Sequence, residues 1–266
     1  MARVYLDLDS AWDAAPLGLD RFDARQWGPP LRCFALRASM RAFIHGVASR
    51  LPPFVLFGSG DFHHVSAALL ERSTASNVVV FDNHPDWDRR PPHWACGGWV
   101  NRALDLPHIR RVAVWGCGNF ELNWPARMFG NPRVEAFGWI ERYPRRGRIT
   151  RDDWRSEFER FAKSIVGDVY VSVDMDCLAD AITNWENGLF TADDVAWAIR
   201  SLPDVTGGDI CGAYSPPVYA RSRQRFAAEW DHPKLPPRDL EHARAVNTKL
   251  VETIWPAFPI VLRTDV

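Results

Sequence analysis

The fold is decided by the stretch NVVVFDNHPD, residues 77–86, in which a short apolar run passes directly into polar residues. A continuous apolar run rich in β-branched residues is typical of a strand buried on both faces of a parallel sheet. The stretch VYVSVDMD, residues 169–176, has the same design. Open α/β sheets bind ligands beyond the carboxyl ends of their strands. The two stretches therefore predict a sheet with a ligand site at that edge.

Strand and helix patterns alternate along the rest of the chain. Thr150 and Thr191 each precede acidic residues and an apolar pattern, as helix N-caps do. The patterns predict further strands at residues 4–8, 54–57, 111–115 and 205–213, and helices at 36–50, 64–72, 150–166, 195–202 and 239–254. This alternation predicts an α/β fold with a mostly parallel, doubly wound sheet. We expect one domain over residues 1–266, because no linker interrupts the pattern.

Composition and charge exclude several classes of partner. A net charge of −1 provides no basic field for nucleic acid, and no apolar run approaches the roughly 20 residues of a membrane helix. The five cysteines form no CxxC pair, which favours reduced thiols over a disulfide framework. Asp7 follows the first residue too closely for a secretory signal peptide. We therefore expect a cytoplasmic protein without nucleic-acid or membrane partners, and homo-oligomerisation stays open.

The polar ends of the two stretches have the spacing of metal ligands. In an extended chain, alternate residues point to the same side, so Asp82, His84 and Asp86 can converge, and Asp174 can join Asp176. Crowded carboxylates are unfavourable without cations, because like charges raise each other's pKa. Two divalent ions would balance the four negative charges. Carboxylate and imidazole ligands without thiolate suit Mn²⁺, Fe²⁺ or Zn²⁺.

A third segment supplies one more imidazole. It is GSGDFHH, residues 58–64, which follows the strand predicted at 54–57, and the ligand is either His63 or His64. Two ions about 3.5–4 Å apart can share a bridging hydroxide and polarise a substrate. The sequence therefore predicts a binuclear metal hydrolase. Three tryptophans flank the first motif, and we expect an aromatic-lined pocket there: Trp87, Trp94 and Trp99.

Together these motifs resemble those of the arginase and agmatinase (ureohydrolase) family. DNHPD at 82–86 is similar to the family's DAHxD motif, SVDMD at 172–176 to SxDxD, and GSGDFHH to GGDH. NGLFT at 187–191 and DICGAYSP at 209–216 resemble the later family segments in the same order. The resemblance implies a three-layer α/β/α fold, two Mn²⁺ ions, and hydrolysis of a guanidinium-type C–N bond by a bridging hydroxide, with release of urea.

The resemblance also implies a role for each ligand. Six residues are implied: Asp82 and Asp174 between the ions, His63 and Asp86 at one ion, His84 and Asp176 at the other. Asp86 would also accept a hydrogen bond from the attacking hydroxide and orient it. His64 is then expected near the metal ligands or on the substrate side.

The chain departs from the family pattern at two positions. Cys96 stands where the family has a proton-shuttling His, and Gly212 stands where it has the Glu that pairs with the guanidinium. A proton for the leaving amine would then come from Cys96, His64, His93 or water. Two acids, Glu186 and Glu229, are candidate replacements for the missing carboxylate.

These departures leave the substrate open. The first hypothesis is an arginase-like hydrolase acting on a small guanidino compound or on an arginine within a peptide. The second is a hydrolase of an amide or formimino bond with deacetylase-like chemistry. The third is a metal-binding protein without catalytic activity.

Overall fold

The sheet contains eight strands, and all hydrogen-bonded neighbours run parallel. The structure is a computed structural model that describes residues 3–13, 15–144 and 147–259. The strands are β1 (Arg3–Asp7), β2 (Arg21–Asp23), β3 (Phe54–Phe57), β4 (Asn77–Phe81), β5 (Arg111–Cys117), β6 (Val134–Gly138), β7 (Val169–Asp174) and β8 (Val205–Cys211). Their order across the sheet is β2-β1-β3-β8-β7-β4-β5-β6.

Helices cover both faces of this sheet. They are α1 (Gly28–Leu31), α2 (Arg37–Gly46), α3 (Val65–Leu70), α4 (Trp99–Leu104), α5 (Trp154–Lys163), α6 (Ala192–Ser201), α7 (Ser222–Asp231) and α8 (Leu240–Ile254). Apolar residues of α2, α3 and α4 pack on one face, and those of α5, α6 and α8 pack on the other. The three-layer α/β/α fold with a parallel sheet is thereby confirmed. Among the described residues, no helix has the length and apolar character needed to cross a membrane.

The apolar run of β4 serves two cores at once. Val78 and Val80 belong to the core beneath α2, α3 and α4, whereas Val79 and Phe81 belong to the core beneath α5, α6 and α8. Full burial of each such side chain contributes about 1.5–3 kcal/mol. A shift of one residue would exchange the two faces and displace every residue that follows the strand. The double burial of β4 therefore fixes where Asp82 lies.

Four neighbouring strands bring the three motifs together. In the order β3-β8-β7-β4, β3 leads to His63, β7 ends at Asp174, and β4 leads to Asp82. All four are parallel, so their carboxyl ends meet at one edge. The predicted strands at 54–57 and 77–81 have the predicted bounds, and 169–173 extends by one residue.

Five elements were not predicted from the sequence, namely β2, β6, α1, α4 and α7, and one helix start was wrong. β2 and β6 are edge strands with polar residues, and α7 lacks a regular apolar stripe; it buries Gln224 and Ala228 and exposes Phe226 and Trp230. The helix predicted from residue 150 begins at Trp154. The Thr150 hydroxyl accepts a hydrogen bond from the Asp153 backbone, which forms a turn before the helix.

The N-cap of α6 provides a test of these local assignments. The Thr191 hydroxyl accepts from the Asp194 backbone at 3.1 Å, and the Asp194 carboxylate accepts from the Thr191 backbone at 3.0 Å. We expect Thr191→Ala to lower the free energy of unfolding by about 1 kcal/mol, or roughly 2–4 °C in midpoint for a chain of this size. Thr150→Ala is the matched control and should cost less. Equal losses in thermal unfolding would contradict the assignment.

Candidate metal centre

The first group of candidate ligands surrounds one nitrogen of His63. His63 Nδ1 lies 3.1 Å from Asp82 Oδ2, 3.0 Å from Asp86 Oδ2 and 3.4 Å from Asp174 Oδ2. All four side chains are buried. Asp86 has φ 45°, a left-handed conformation that Asp tolerates better than most residues. This turn carries its carboxylate back toward His63.

The second group surrounds His84 and shares Asp82 with the first. His84 Nδ1 lies 2.7 Å from Asp176 Oδ2 and 3.5 Å from Asp82 Oδ1. Each oxygen of Asp82 therefore faces a different imidazole. Backbone N–H groups orient the acids, since the Asp176 N–H donates to Asp174 Oδ1 at 3.0 Å and the Asn83 N–H donates to Asp176 Oδ1 at 3.0 Å. The structure thus brings together all six ligands named from the sequence.

A hydrogen-bond chain behind His63 determines what its Nδ1 presents to the carboxylates. The Ser172 hydroxyl donates to Asp209 Oδ1 at 2.7 Å, so its oxygen is free to accept from His63 Nε2–H at 2.9 Å. The Tyr170 hydroxyl donates to the other Asp209 oxygen. In a neutral imidazole protonated at Nε2, Nδ1 carries a lone pair. That lone pair points at three carboxylate oxygens.

This arrangement fits a cation. His63 Nδ1 and Asp82 Oδ2 are buried and have no hydrogen-bond partner among the described residues. Buried polar atoms without a partner are uncommon and call for an ion, a water or a proton. Three sets of ligand-type atoms lie close enough together here to hold a metal ion: His63 with Asp82 and Asp86, His84 with Asp82 and Asp176, and His63 with Asp174 and Cys211. The donor atoms therefore suit a pair of divalent cations that share Asp82.

The pKa values of the four clustered carboxyl groups are shifted in opposite directions. Burial, reinforced by the charge of Asp82, raises the pKa of Asp86 to about 8 and that of Asp174 to about 6. Burial and the charge of Asp174 also raise the pKa of Asp176. Burial acts the same way on Asp82, but when cations are absent, protonated His63 and His84 would donate to it, and they lower the pKa of that carboxyl. Without cations, the cluster must retain protons to limit its negative charge.

The other proposed catalytic residues lie apart from these contacts. Burial lowers the pKa of His64 to about 3, so this imidazole is uncharged near neutral pH. His93 is exposed and lines a surface pocket with Asp88 and Asn101. Burial raises the pKa of Cys96, so its thiol retains its proton. Of the catalytic candidates Asp86, His64, His93 and Cys96, it is Asp86 whose carboxylate lies among the candidate metal ligands.

The aromatic residue over the site is Trp185, which the sequence motifs did not indicate. Its ring lies 5.2 Å from that of His84 and 4.5 Å from that of His232. Gly60 permits this approach, because a Cβ there would lie 2.8 Å from Asp174 Oδ2 and 3.1 Å from Trp185 Cδ1. Trp99 is buried, with its ring 4.8 Å from that of His63.

The expectation of a pocket lined by Trp87, Trp94 and Trp99 is therefore corrected. Trp87 and Trp99 pack inside the protein, and Trp94 is half-buried.

Gly212 is required by the backbone and by the closeness of Asp174. Its φ is 101°, which strains any other residue, and a Cβ there would lie 2.1 Å from Asp174 Oδ1. A glutamate cannot occupy this position without moving Asp174. The departure from the family pattern is thus a property of this chain's metal-ligand geometry.

A carboxylate that the sequence analysis missed lies near enough to His84 for the two charges to interact. Glu121 is half-buried after β5, and the Asn119 side-chain amide donates to its Oε2 at 3.3 Å. Burial raises the pKa of Glu121, and the nearby His84 charge opposes this shift. Glu229 instead pairs with Arg225 at 2.7 Å on exposed α7, and Glu186 is exposed. No local motif identifies Glu121, because Glu121 and His84 lie in loops that are well separated in the sequence.

Comparison with known proteins shows similarity in sequence to one protein and similarity in fold to solved structures. An uncharacterised protein of Thermotoga maritima is 29% identical over 162 residues, which cover 60% of this chain and 57% of that protein. The match thus spans little more than half of the relative's length. The chain matches no protein-family model.

Two solved structures match over nearly the whole chain. Formimidoylglutamase of Bacillus subtilis has a TM-score of 0.57 at 16% identity and covers 97% of this chain and 88% of that one. Arginase of Bacillus subtilis has a TM-score of 0.56 at 14% identity and covers 98% and 100%. The chain has the arginase fold. The resemblance to the arginase family is therefore confirmed for the fold. The six candidate ligands lie at or after the carboxyl ends of β3, β4 and β7.

The hydrogen bond from His63 to Ser172 should contribute to cation binding. Partners that orient a ligating imidazole typically change metal affinity by about 10- to 100-fold. We expect Ser172→Ala to weaken Mn²⁺ binding by this factor in calorimetric titration while the chain remains folded. Ser201→Ala, at a hydroxyl that bonds to the Trp197 carbonyl on α6, is the matched control. Unchanged affinity in Ser172→Ala would show that the hydrogen bond does not position His63.

Proposed function

We propose that the chain is a divergent member of the ureohydrolase family, a binuclear metal hydrolase that cleaves a guanidinium-type C–N bond. The observation that carries this proposal is the convergence of His63 Nδ1 with oxygens of Asp82, Asp86 and Asp174. A cation resolves the repulsion among these atoms. The arginase fold supports the hydrolase class, and Glu121 and Trp185 support a planar cationic substrate.

The six ligands divide between two ions. His63 and Asp86 would hold one, His84 and Asp176 the other, with Asp82 and Asp174 between them. When bound, two divalent cations would supply a water of lowered pKa and neutralise the carboxylates. We propose Mn²⁺ on the strength of the family resemblance, and Fe²⁺ and Zn²⁺ suit the same donors. Asp86 would accept the hydrogen bond of the attacking water and orient it toward the substrate carbon.

The substrate side of the site favours a planar cation. The ring of Trp185 lies against His84, and Glu121 is near enough to His84 for the His84 charge to act on its pKa. Glu121 has one amide partner and no cationic partner among its described hydrogen bonds and ion pairs. A half-buried carboxylate with this environment is suited to a guanidinium group, which donates to carboxylates in a planar fork. Glu121 would thus take the place of the carboxylate that Gly212 excludes.

A formimino substrate is the second candidate. Gly212 favours it, because the family's guanidinium-binding Glu is sterically excluded there. A formimino group is also planar, cationic and hydrolysed at a C–N bond, so the same metal ligands and Glu121 would serve. The two candidates differ in the product: a guanidino substrate releases urea, whereas a formimino substrate releases formamide.

A product assay on the metal-loaded protein tests both candidates. We expect urea from arginine, agmatine, guanidinobutyrate or an arginyl peptide after incubation with Mn²⁺, and Asp176→Asn should lose both activity and bound metal. Formamide from formiminoglutamate without urea would replace the first candidate by the second. If the protein binds two ions per chain but hydrolyses none of these compounds, the chain is a metal-binding protein and the proposed activity is wrong.

Glu121 provides a sharper test of substrate charge. A hydrogen bond to a charged group contributes about 1.5–3 kcal/mol, and each 1.4 kcal/mol corresponds to about tenfold in binding. We expect Glu121→Gln to raise KM for the cationic substrate by about 10- to 100-fold with a smaller change in kcat. Glu229→Gln, at the surface pair with Arg225, is the control and should leave KM unchanged. Equal effects of the two substitutions would remove Glu121 from substrate binding.

A further inference from the structure

A second group of ligand-type atoms lies outside the six residues described above. Cys33 Sγ, Asp61 Oδ1 and His232 Nε2 all lie within 4.8 Å of one another. His232 Nε2 is 2.8 Å from Asp61 Oδ1 and 4.0 Å from Cys33 Sγ. Cys33 and Asp61 are buried, and the His232 side chain is 16% exposed. Thiol, carboxylate and imidazole thus meet from distant parts of the chain.

Backbone contacts hold two of these positions. The Cys33 N–H donates to the Asp61 carbonyl at 2.9 Å, and the Cys96 N–H donates to the Cys33 carbonyl at 3.0 Å. The His232 N–H donates to the Ala228 carbonyl at 2.8 Å, which continues α7 toward the group. The ligand positions are therefore set by main-chain geometry. Preorganisation of this kind reduces the conformational cost of binding.

The charges around the group balance when a divalent cation is added. Arg32 Nε donates to Asp61 Oδ2 at 2.7 Å, and Arg32 Nη1 lies 3.6 Å from Asp9 Oδ2. This leaves Asp61 Oδ1 for the group. A Cys33 thiolate, Asp61 and Asp9 carry three negative charges, and Arg32 with a divalent cation carries three positive ones. Buried charges are tolerated when they are paired in this way.

We propose that Cys33, Asp61 and His232 form a further metal site that takes a thiophilic divalent cation of the Zn²⁺ class. A tetrahedral Zn²⁺ with bonds of about 2.0–2.3 Å separates its ligand atoms by roughly 3.3–3.8 Å. The distances of 2.8 and 4.0 Å lie close to this range, so small side-chain rotations suffice. The Cys33 thiol favours a softer metal at this site, because thiolate selects softer metals.

A second thiol lies beside this site. Phe34 and Ala95 form an antiparallel bridge, which places Cys33 and Cys96 opposite each other across the two segments. Side chains of opposed residues point to the same face. Cys96 does not belong to the group of atoms that lie within 4.8 Å of one another, so the three ligands of the site are Cys33, Asp61 and His232.

An ion would reach the site from the surface. His232 and Tyr219 line an open cleft of about 700 Å³ between the segment after β8 and α7. None of the six ligands of the binuclear centre lines this cleft. The bound ion would fix His232, whose ring contacts Trp185, and Trp185 in turn contacts His84. The proposed site would thus stabilise the position of Trp185 next to the binuclear centre.

A titration with Co²⁺ alone tests the site without any activity assay. Cobalt bound to thiolate gives a ligand-to-metal charge-transfer absorption in the near ultraviolet, and carboxylate or imidazole ligands do not. We expect the chelator-treated full chain to develop this band, to bind three metal ions per chain by elemental analysis, and to lose the band when Zn²⁺ is added. Cys33→Ser should lose the band and one ion, and His232→Asn should weaken this binding at least tenfold.

Two variants at the binuclear centre are the matched controls. Cys211 Sγ lies 3.6 Å from Asp174 Oδ2, so Cys211→Ser tests the alternative thiol. Cys211→Ser and Asp176→Asn should both retain the band, and the latter should still lose metal from the binuclear centre. Absence of the band in the unmodified chain, its survival in a folded Cys33→Ser chain, or its loss in Cys211→Ser would overturn the proposal. None of these results depends on hydrolase activity.

Discussion

The crowding of buried carboxylates at one edge of the sheet is the constraint on which the site depends. Asp82, Asp86, Asp174 and Asp176 gather around two imidazoles, and unit charges 4 Å apart repel by about 4 kcal/mol at an effective dielectric constant of 20. The acids cannot simply move apart, because β4 and β7 are adjacent strands whose apolar side chains are buried on both faces. The sheet therefore holds an arrangement that requires either protons or cations.

The sequence predicted which residues meet, but not how they pair. Alternation in an extended chain correctly placed Asp82, His84 and Asp86 near one another, and Asp174 near Asp176. In the structure the chain turns at Asp86, so Asp86 faces His63 while His84 faces Asp176. A left-handed residue at this point reverses the local direction of the chain. Spacing within one segment cannot reveal such a turn, so the division into two ion sites needed the fold.

Contacts between distant segments account for the remaining differences. The Ser172 oxygen can accept a hydrogen bond from His63 because the Ser172 hydroxyl donates its own hydrogen bond to Asp209 on the neighbouring strand. α7 has no apolar stripe from which it could be predicted. It is held instead by the Gln224 side-chain amide, which lies within hydrogen-bond distance of the backbone carbonyls of Pro29, Pro30, Arg32 and Phe34. In the sequence, Gly212 indicated the loss of a substrate-binding residue. In the structure, the absence of a side chain at Gly212 leaves the space that the candidate ligand Asp174 occupies.

The same reasoning changes the meaning of Cys96. In the sequence, Cys96 follows the DNHPD motif at the position where the arginase and agmatinase family has a proton-shuttling histidine. In the structure its backbone is tied to Cys33, and burial raises the pKa of its thiol, so it is a poor proton donor near neutral pH. Cys96 therefore does not take over the role of that histidine. In the proposed reaction, protonation of the leaving amine would then fall to water.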